Sequence, residues 1–273
     1  MVDTHVQMGI SNQLRAIDEG FRLVASFPEY RATPIIIGES DPEGCAACSV
    51  RTNPPNAYRN GTMYSSYTAA QIARTYDLAA LHGVNLRGSL TWAFLFEDQP
   101  YFAGFRDLAT NGLDKPVLNV FRMLGKMTGD RVRVESSAAV GLETIRDRGV
   151  RDTPDVGALA SRADRAIAVL LWHYHDDDLA GPPATIALKI DGVPVSSATL
   201  AIDLIDADHS NAYDAWKRMG SPEPPSPAQY RELERIGGLQ SSEAPRRVRV
   251  QNGAAELSLS LARQGVSLVR LTW

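Results

Sequence analysis

The chain has 273 residues, 44% of them apolar and 22% charged, with a net charge of −4. That length allows one large domain or two modest ones, and the mild acidity offers no basic field for nucleic acid. No stretch approaches the roughly 20 apolar residues of a membrane helix, and two cysteines are too few for a disulfide framework. The N-terminus lacks the apolar core of a signal peptide, so a cytoplasmic protein is the expectation.

In chain order, "SNQLRAIDEGFRLVASF" places Leu14, Ile17, Phe21 and Val24 at helical spacing, with Ser11 or Asn12 as N-cap and Pro28 just beyond. Ile35, Ile36 and Ile37 then form a short apolar run, the pattern of a parallel strand buried on both faces. A loop rich in Gly, Pro and Asn covers residues 41–64. The second helix, "SYTAAQIARTYDLAALHGV", has Thr68 and Gln71 as a capping box and Gly83 as C-cap. "GSLTWAFLFED" is a second strand, and "KPVLNVFRMLGKM" a third helix with Pro116 in its first turn. Alternating helix and strand implies a parallel sheet. From Gly129 the pattern changes to short β segments separated by turns, with alternation clearest at Leu257, Leu259 and Leu261. That is the signature of an antiparallel β-sandwich, interrupted by one helix, "SPAQYRELERIGG". The fold class is therefore α/β plus all-β, with domains at 1–128 and 129–273.

The stretch "PIIIGESDPEGCAAC" concentrates candidate chemistry. Asp41-Pro42-Glu43-Gly44 fits a type I turn, which makes Asp41 a turn former and Glu43 a solvated turn tip. Glu39 is different, because it sits where a buried parallel strand ends. In a βα barrel, strand C-termini face the active-site mouth, so a carboxylate there is both reachable and rigidly held. The pattern alone leaves open a capping or salt-bridging role. The second strand ends in Glu97 and Asp98 among Trp92, Phe94, Phe96, Tyr101 and Phe102. Aromatic faces beside carboxylates suit a sugar, with rings against C–H faces and acids accepting from hydroxyls. Phe94 and Phe96 are read as core; Trp92 and Glu97 are read as sugar contacts.

These residues carry a resemblance. "PIIIGESDPEG" and the run from "YSSYTAAQIARTYDLAALHGVNLRG" to "KPVLNVFRMLGKM" resemble the end of the barrel of glycoside hydrolase family 39, the retaining β-xylosidases and their relatives. "HYHDDD", "DADHSNAYDAWKRMGSP" and "LARQGVSLVRLTW" resemble that family's accessory β-domain. The resemblance implies the C-terminal portion of a (β/α)8 TIM barrel followed by an antiparallel β-sandwich. It implies hydrolysis of β-xylosides through a covalent glycosyl-enzyme, with Glu39 as nucleophile and Trp92, Glu97 and Asp98 as substrate contacts. The family's acid/base glutamate lies in an Asn-Glu-Pro motif that occurs nowhere here. The N-terminal half of the barrel, and the acid/base with it, is therefore expected to be missing. A carbohydrate is the expected partner, with no nucleic acid, no membrane and no cofactor; a homo-oligomer stays open. The alternative reading is a non-catalytic carbohydrate-binding or structural remnant.

Three further motifs attract attention. Cys45 and Cys48 form a C-x-x-C followed by loop rather than helix, with no second cysteine pair to complete a zinc site, which leaves free thiols or a local disulfide. His173 and His175 with the acids of "WHYHDDD" read as a strand end followed by a solvated charge run rather than a metal site. His209, Ser210 and Asn211 are consecutive and read as turn or interdomain hydrogen-bonders.

Overall fold

The computed structural model describes residues 9–91 and 93–273. Helix α1 (Ile10–Ala25) buries Ile10, Leu14 and Phe21. It begins at Gly9, which has no side-chain cap, rather than at Ser11 or Asn12. The cap comes from far away: Asp176 Oδ1 accepts from Ile10 N at 3.3 Å. A carboxylate at a helix N-terminus satisfies a free N–H and the positive end of the dipole.

Strand β1 (Ile35–Ile37), helix α2 (Thr62–His82) and strand β2 (Leu86–Ser89) follow. The two strands pair in parallel, with Ile35 opposite Leu86 and Ile37 opposite Ser89, as the alternation predicts. Burial on both faces does not hold. Ile35 and Ile37 pack on the core, whereas Ile36 is 63% exposed, because helices cover only one face of this pair. The second strand is also shorter than predicted. Its ladder ends at Ser89, and residues 90–91 and 93–98 run on outside any strand, since β1 offers no partner beyond Ile37. Helix α2 starts at Gly61, so Thr68 and Gln71 lie inside it and form no capping box. The Thr68 hydroxyl donates back to Tyr64 O at 2.7 Å, and Gln71 Nε2 donates to Ser40 Oγ at 2.7 Å. Gly83 closes the helix in the left-handed conformation (φ 64°), as expected of a C-cap glycine. A two-residue hairpin, β3 (Ala109–Thr110) and β4 (Leu113–Asp114), precedes α3 (Pro116–Gly125), which has proline in its first turn.

The remainder contains β5 (Asp130–Val132), α4 (Leu142–Arg148), β6 (Asp155–Ala163), β7 (Ala166–Tyr174), β8 (Ala184–Asp191) and β9 (Ser197–Ile205). It continues with α5 (Ala212–Arg218), α6 (Pro227–Gly237), β10 (Gln240–Ser241), β11 (Arg246–Arg249), β12 (Ala254–Leu261) and β13 (Val266–Thr272). Three helices stand here where the sequence suggests one. Strand β6 escapes the pattern because "DVGALASRA" is built of small and polar residues. The ladders are antiparallel: a seven-stranded sheet in the order β10-β9-β13-β7-β6-β5, with β11 also on β9, and a separate β8–β12 pair. One face of the large sheet packs on β8–β12 through Val169, Leu171, Leu200, Val269, Ile190 and Leu261. The other face packs on α1, α2 and α3 through Leu170, Trp172, Tyr174 and Leu268. Gly157 makes room for Trp172, since a Cβ there would lie 2.3 Å from the indole.

Candidate active site

Glu39 stands two residues past β1, at the C-terminal end of the parallel pair. Its side chain is 53% exposed and its Oε2 lies 3.9 Å from Arg106 Nη2. The same guanidinium places Nη1 3.7 Å from Asp41 Oδ2 and donates to Glu43 O. Arg106 is 1% exposed, so its charge is fixed in a poorly solvated position between two carboxylates. Asp41 is not a simple turn former. Its side chain is 3% exposed, accepts from Thr91 Oγ1 at 2.5 Å and lies 3.4 Å from the Tyr64 hydroxyl that donates to it. Burial, then the Asp41 charge, pushes the Tyr64 hydroxyl above its ordinary pKa, so it stays a proton donor.

Glu43 is not a solvated turn tip. It accepts from the Tyr58 hydroxyl and pairs with Arg59, a guanidinium 1% exposed. Arg59 also donates to Cys45 O (2.8 Å), Cys48 O (3.2 Å), Ala46 O (3.5 Å) and Gly104 O (3.2 Å). Cys45 and Cys48 form a disulfide. Val50 N donates to Ala103 O at 2.8 Å, and Gly104 (φ 78°) accommodates this contact, where a Cβ would meet Val50 Cγ1 at 2.5 Å. The loop after Glu39 is thus clamped between residues 56–64, just before and at the start of α2, and residues 103–106.

Of the residues singled out in the sequence, Trp92 lies outside the described residues. Glu97 and Asp98 are exposed on the irregular segment after β2, with Asp98 at φ 54°, and no ion pair or side-chain hydrogen bond joins either to Glu39. Arg59, Arg106 and the supporting role of Asp41 were not foreseen. Their partners lie as far off as Glu39, 67 residues before Arg106, beyond the reach of local periodicity. Beside Glu39, α1 and β1 form a groove of about 510 Å³ lined by Gln13, Ile17, Phe21, Ile35, Ile37 and Asp41.

The acidic run of "WHYHDDD" is solvated at its far end, where Asp177 is half-buried and Asp178 exposed, but not at its start. Asp176 is buried and accepts from Val150 N (2.9 Å), Tyr174 Oη (2.6 Å) and Ile10 N (3.3 Å), which ties α1 to the large sheet. His173 and His175 are buried and bonded to Leu261 O and Arg151 O. Among the described residues no group of three or more His, Cys, Asp or Glu side chains is placed to hold a metal ion. Ser210 donates to Leu204 O at 2.7 Å and Asn211 caps α5, the turn roles read from the sequence.

A carboxylate at the end of a parallel strand, an arginine fixed beside it and an antiparallel two-sheet unit behind it can be set against known proteins. Mouse (Mus musculus) α-L-iduronidase is 27% identical over 247 residues, which cover 81% of this chain and 36% of that protein. Among solved structures, a bacterial orthologue of human α-L-iduronidase superposes with a TM-score of 0.75 at 17% identity, over 95% of this chain and 46% of that one. A monomeric β-xylosidase from Caulobacter crescentus gives 0.68 at 16% identity, over 95% and 50%. The chain spans half or less of the length of these relatives. The family model for glycosyl hydrolases family 39 matches residues 7–254, nearly the whole length over which strand-end carboxylate, clamped loop and two-sheet unit follow one another, and the chain belongs to that family.

Proposed function

We propose that these residues form the nucleophile half of a retaining glycosidase active on β-xylosides, with Glu39 as the group that attacks the anomeric carbon. The observation that carries the reading is Glu39 itself, an accessible carboxylate at the C-terminal end of a parallel strand, braced by a buried guanidinium. In this reading β1 and β2 are the last two strands of a (β/α)8 barrel, residues 1–128 belong to the catalytic domain and residues 129–273 form an accessory β-sandwich. The open face at Ile36 and the free edges of a two-stranded parallel pair support it, since two strands cannot close a barrel.

Retaining hydrolysis needs two carboxyl groups about 5–5.5 Å apart. Glu39 attacks as the carboxylate and forms a glycosyl ester. A second carboxyl protonates the leaving oxygen and then activates water. Asp41 is too enclosed for that second task, and no Asn-Glu-Pro occurs in the sequence. The reading therefore assigns the acid/base to protein outside these residues. Trp92, Glu97 and Asp98 are the proposed sugar contacts. A neutral sugar is favoured because the guanidinium beside Glu39 already serves Glu39, Asp41 and the Glu43 carbonyl. An α-L-iduronide is the second reading, favoured by the likeness to mouse α-L-iduronidase.

The test is kinetic, on the protein that contains this chain together with an acid/base. Aryl β-xyloside should be turned over with kcat/KM well above that for aryl α-L-iduronide, and Glu39→Gln should abolish turnover while sugar binding persists. Full activity of Glu39→Gln would refute the nucleophile, and preference for the iduronide would move the substrate to the second reading.

A further inference from the structure

The Cys45–Cys48 disulfide has no part in the chemistry above, yet it sits at the centre of the clamp on the Glu39 loop. Its four-residue ring turns three carbonyls, those of Cys45, Ala46 and Cys48, onto the buried guanidinium of Arg59. Asn56 Nδ2 adds a 2.6 Å bond to Cys48 O, and Arg106 N donates to Ala46 O at 3.0 Å. Arg106 therefore depends on this loop twice, through its backbone N–H to Ala46 and through its guanidinium to Glu43 O. The same guanidinium faces Glu39 and Asp41. The chain of contact runs disulfide, loop carbonyls, Arg106, Glu39.

Chain entropy argues that this cross-link is local in its effect. The entropy that a disulfide removes from the unfolded chain grows with loop length, so a four-residue ring does least for global stability. What it does is hold one short segment in the conformation that feeds carbonyls to a cation which cannot easily go without them, because an unpaired buried charge is costly. Cys45 is exposed and Cys48 half-buried, so the bond is open to attack from solvent.

We propose that Cys45–Cys48 is a redox switch that sets the position of Arg106 and, through it, of Glu39. A dithiol reductant acts on it by thiol–disulfide exchange. One reductant thiolate attacks the exposed Cys45 sulfur and Cys48 leaves as a thiolate that takes up a proton. The second reductant thiolate then attacks its partner sulfur in the mixed disulfide and releases Cys45. Two cysteine thiols and one oxidised dithiol result. The uncrosslinked segment regains backbone freedom, the carbonyls leave Arg59 and Arg106, and the guanidinium loses its fixed place beside Glu39. The inference rests on the proposed role of Glu39 only for its meaning in catalysis; the release of the loop does not depend on it.

Amide hydrogen exchange tests it without reference to activity. The protein is compared air-oxidised, reduced with dithiothreitol, and reoxidised, with thiols counted in each state. The Cys45→Ser/Cys48→Ser variant serves as a permanently open form. On reduction, amides in residues 45–56 and 103–107 should exchange about tenfold faster or more, the seven-stranded sheet should be unchanged, and reoxidation should restore protection. The double variant should match the reduced protein and ignore dithiothreitol. Quantitative reduction with unchanged exchange in both segments would overturn the switch. So would two free thiols in the air-oxidised protein, or a bond that yields to dithiothreitol only when the whole chain unfolds. With turnover measured on the protein that contains this chain together with an acid/base, loosened segments with unaltered glycoside turnover would break the link to Glu39, whereas no turnover in its oxidised form would count against the glycosidase reading alone.

Discussion

The seven-stranded sheet and the β1–β2 pair are built under opposite constraints. The large sheet is covered on both faces, by β8–β12 on one side and by α1, α2 and α3 on the other. Trp172 Nε1 there donates to Asp155 at 2.8 Å, and Asp176 accepts from three donors. The β1–β2 pair has one covered face only, and Ile36, Leu90 and Leu95 stand exposed on or just beyond it. Its polar groups are concentrated beyond the strand ends, where Glu39 is accessible and Arg106 and Asp41 are not. The contrast teaches where each part of the chain does its work. A doubly covered sheet spends its sequence on packing, while an open strand pair whose end carries a braced carboxylate is organised around something still to be covered or bound.

Substitutions in the two regions should differ in cost. Trp172→Ala, in the doubly covered sheet, should lower the unfolding free energy by about 3–5 kcal/mol, read from urea denaturation. Asp176→Asn should cost about 2 kcal/mol, because an amide NH2 would then face one of the N–H donors that the carboxylate now satisfies. The helix start of α1 should lose exchange protection in the same variant. A pH test sharpens the contrast further. His173 is buried in the large sheet, and burial is the main cause that pushes its pKa below the ordinary 6.5. Below pH 6.5 the unfolded chain therefore takes a proton that the folded chain resists, so this contribution is present above pH 6.5 and is lost as the pH falls below it. The urea midpoint should drop between pH 7 and pH 5.5, and His173→Gln should flatten that slope. Ile36→Ala, on the open face, should change stability by less than about 0.5 kcal/mol. An Ile36→Ala cost equal to that of Trp172→Ala would mean that the strand pair is packed like the large sheet.

Much of this arrangement is legible locally. The adjacency of the parallel strands, the C-cap at Gly83, the proline start of α3 and the Ser226–Gln229 capping box of α6 follow from short-range rules. Glu39 is recognisable because a run of β-branched residues ending in Gly and Glu marks a strand end. What escapes is set by residues distant in the chain. The start of α1 is fixed by Asp176, a carboxylate 166 positions later. The second strand stops at Ser89 because its neighbour is three residues long, although aromatic and β-forming residues continue to Phe96. Arg59 and Arg106 look like ordinary surface cations in the sequence, and only the folded loop brings Glu39, Asp41, Glu43 and the carbonyls of Cys45, Ala46 and Cys48 onto them.

A nucleophilic Glu39 can be caught by covalent trapping. A 2-deoxy-2-fluoro-β-xyloside with a good leaving group, incubated with the protein that contains this chain together with an acid/base, should inactivate it by accumulating the glycosyl ester. Peptide mapping by mass spectrometry should place one fluoroxylosyl group on Glu39. A label on Asp41, Glu43 or Glu97 with Glu39 unmodified would contradict the account.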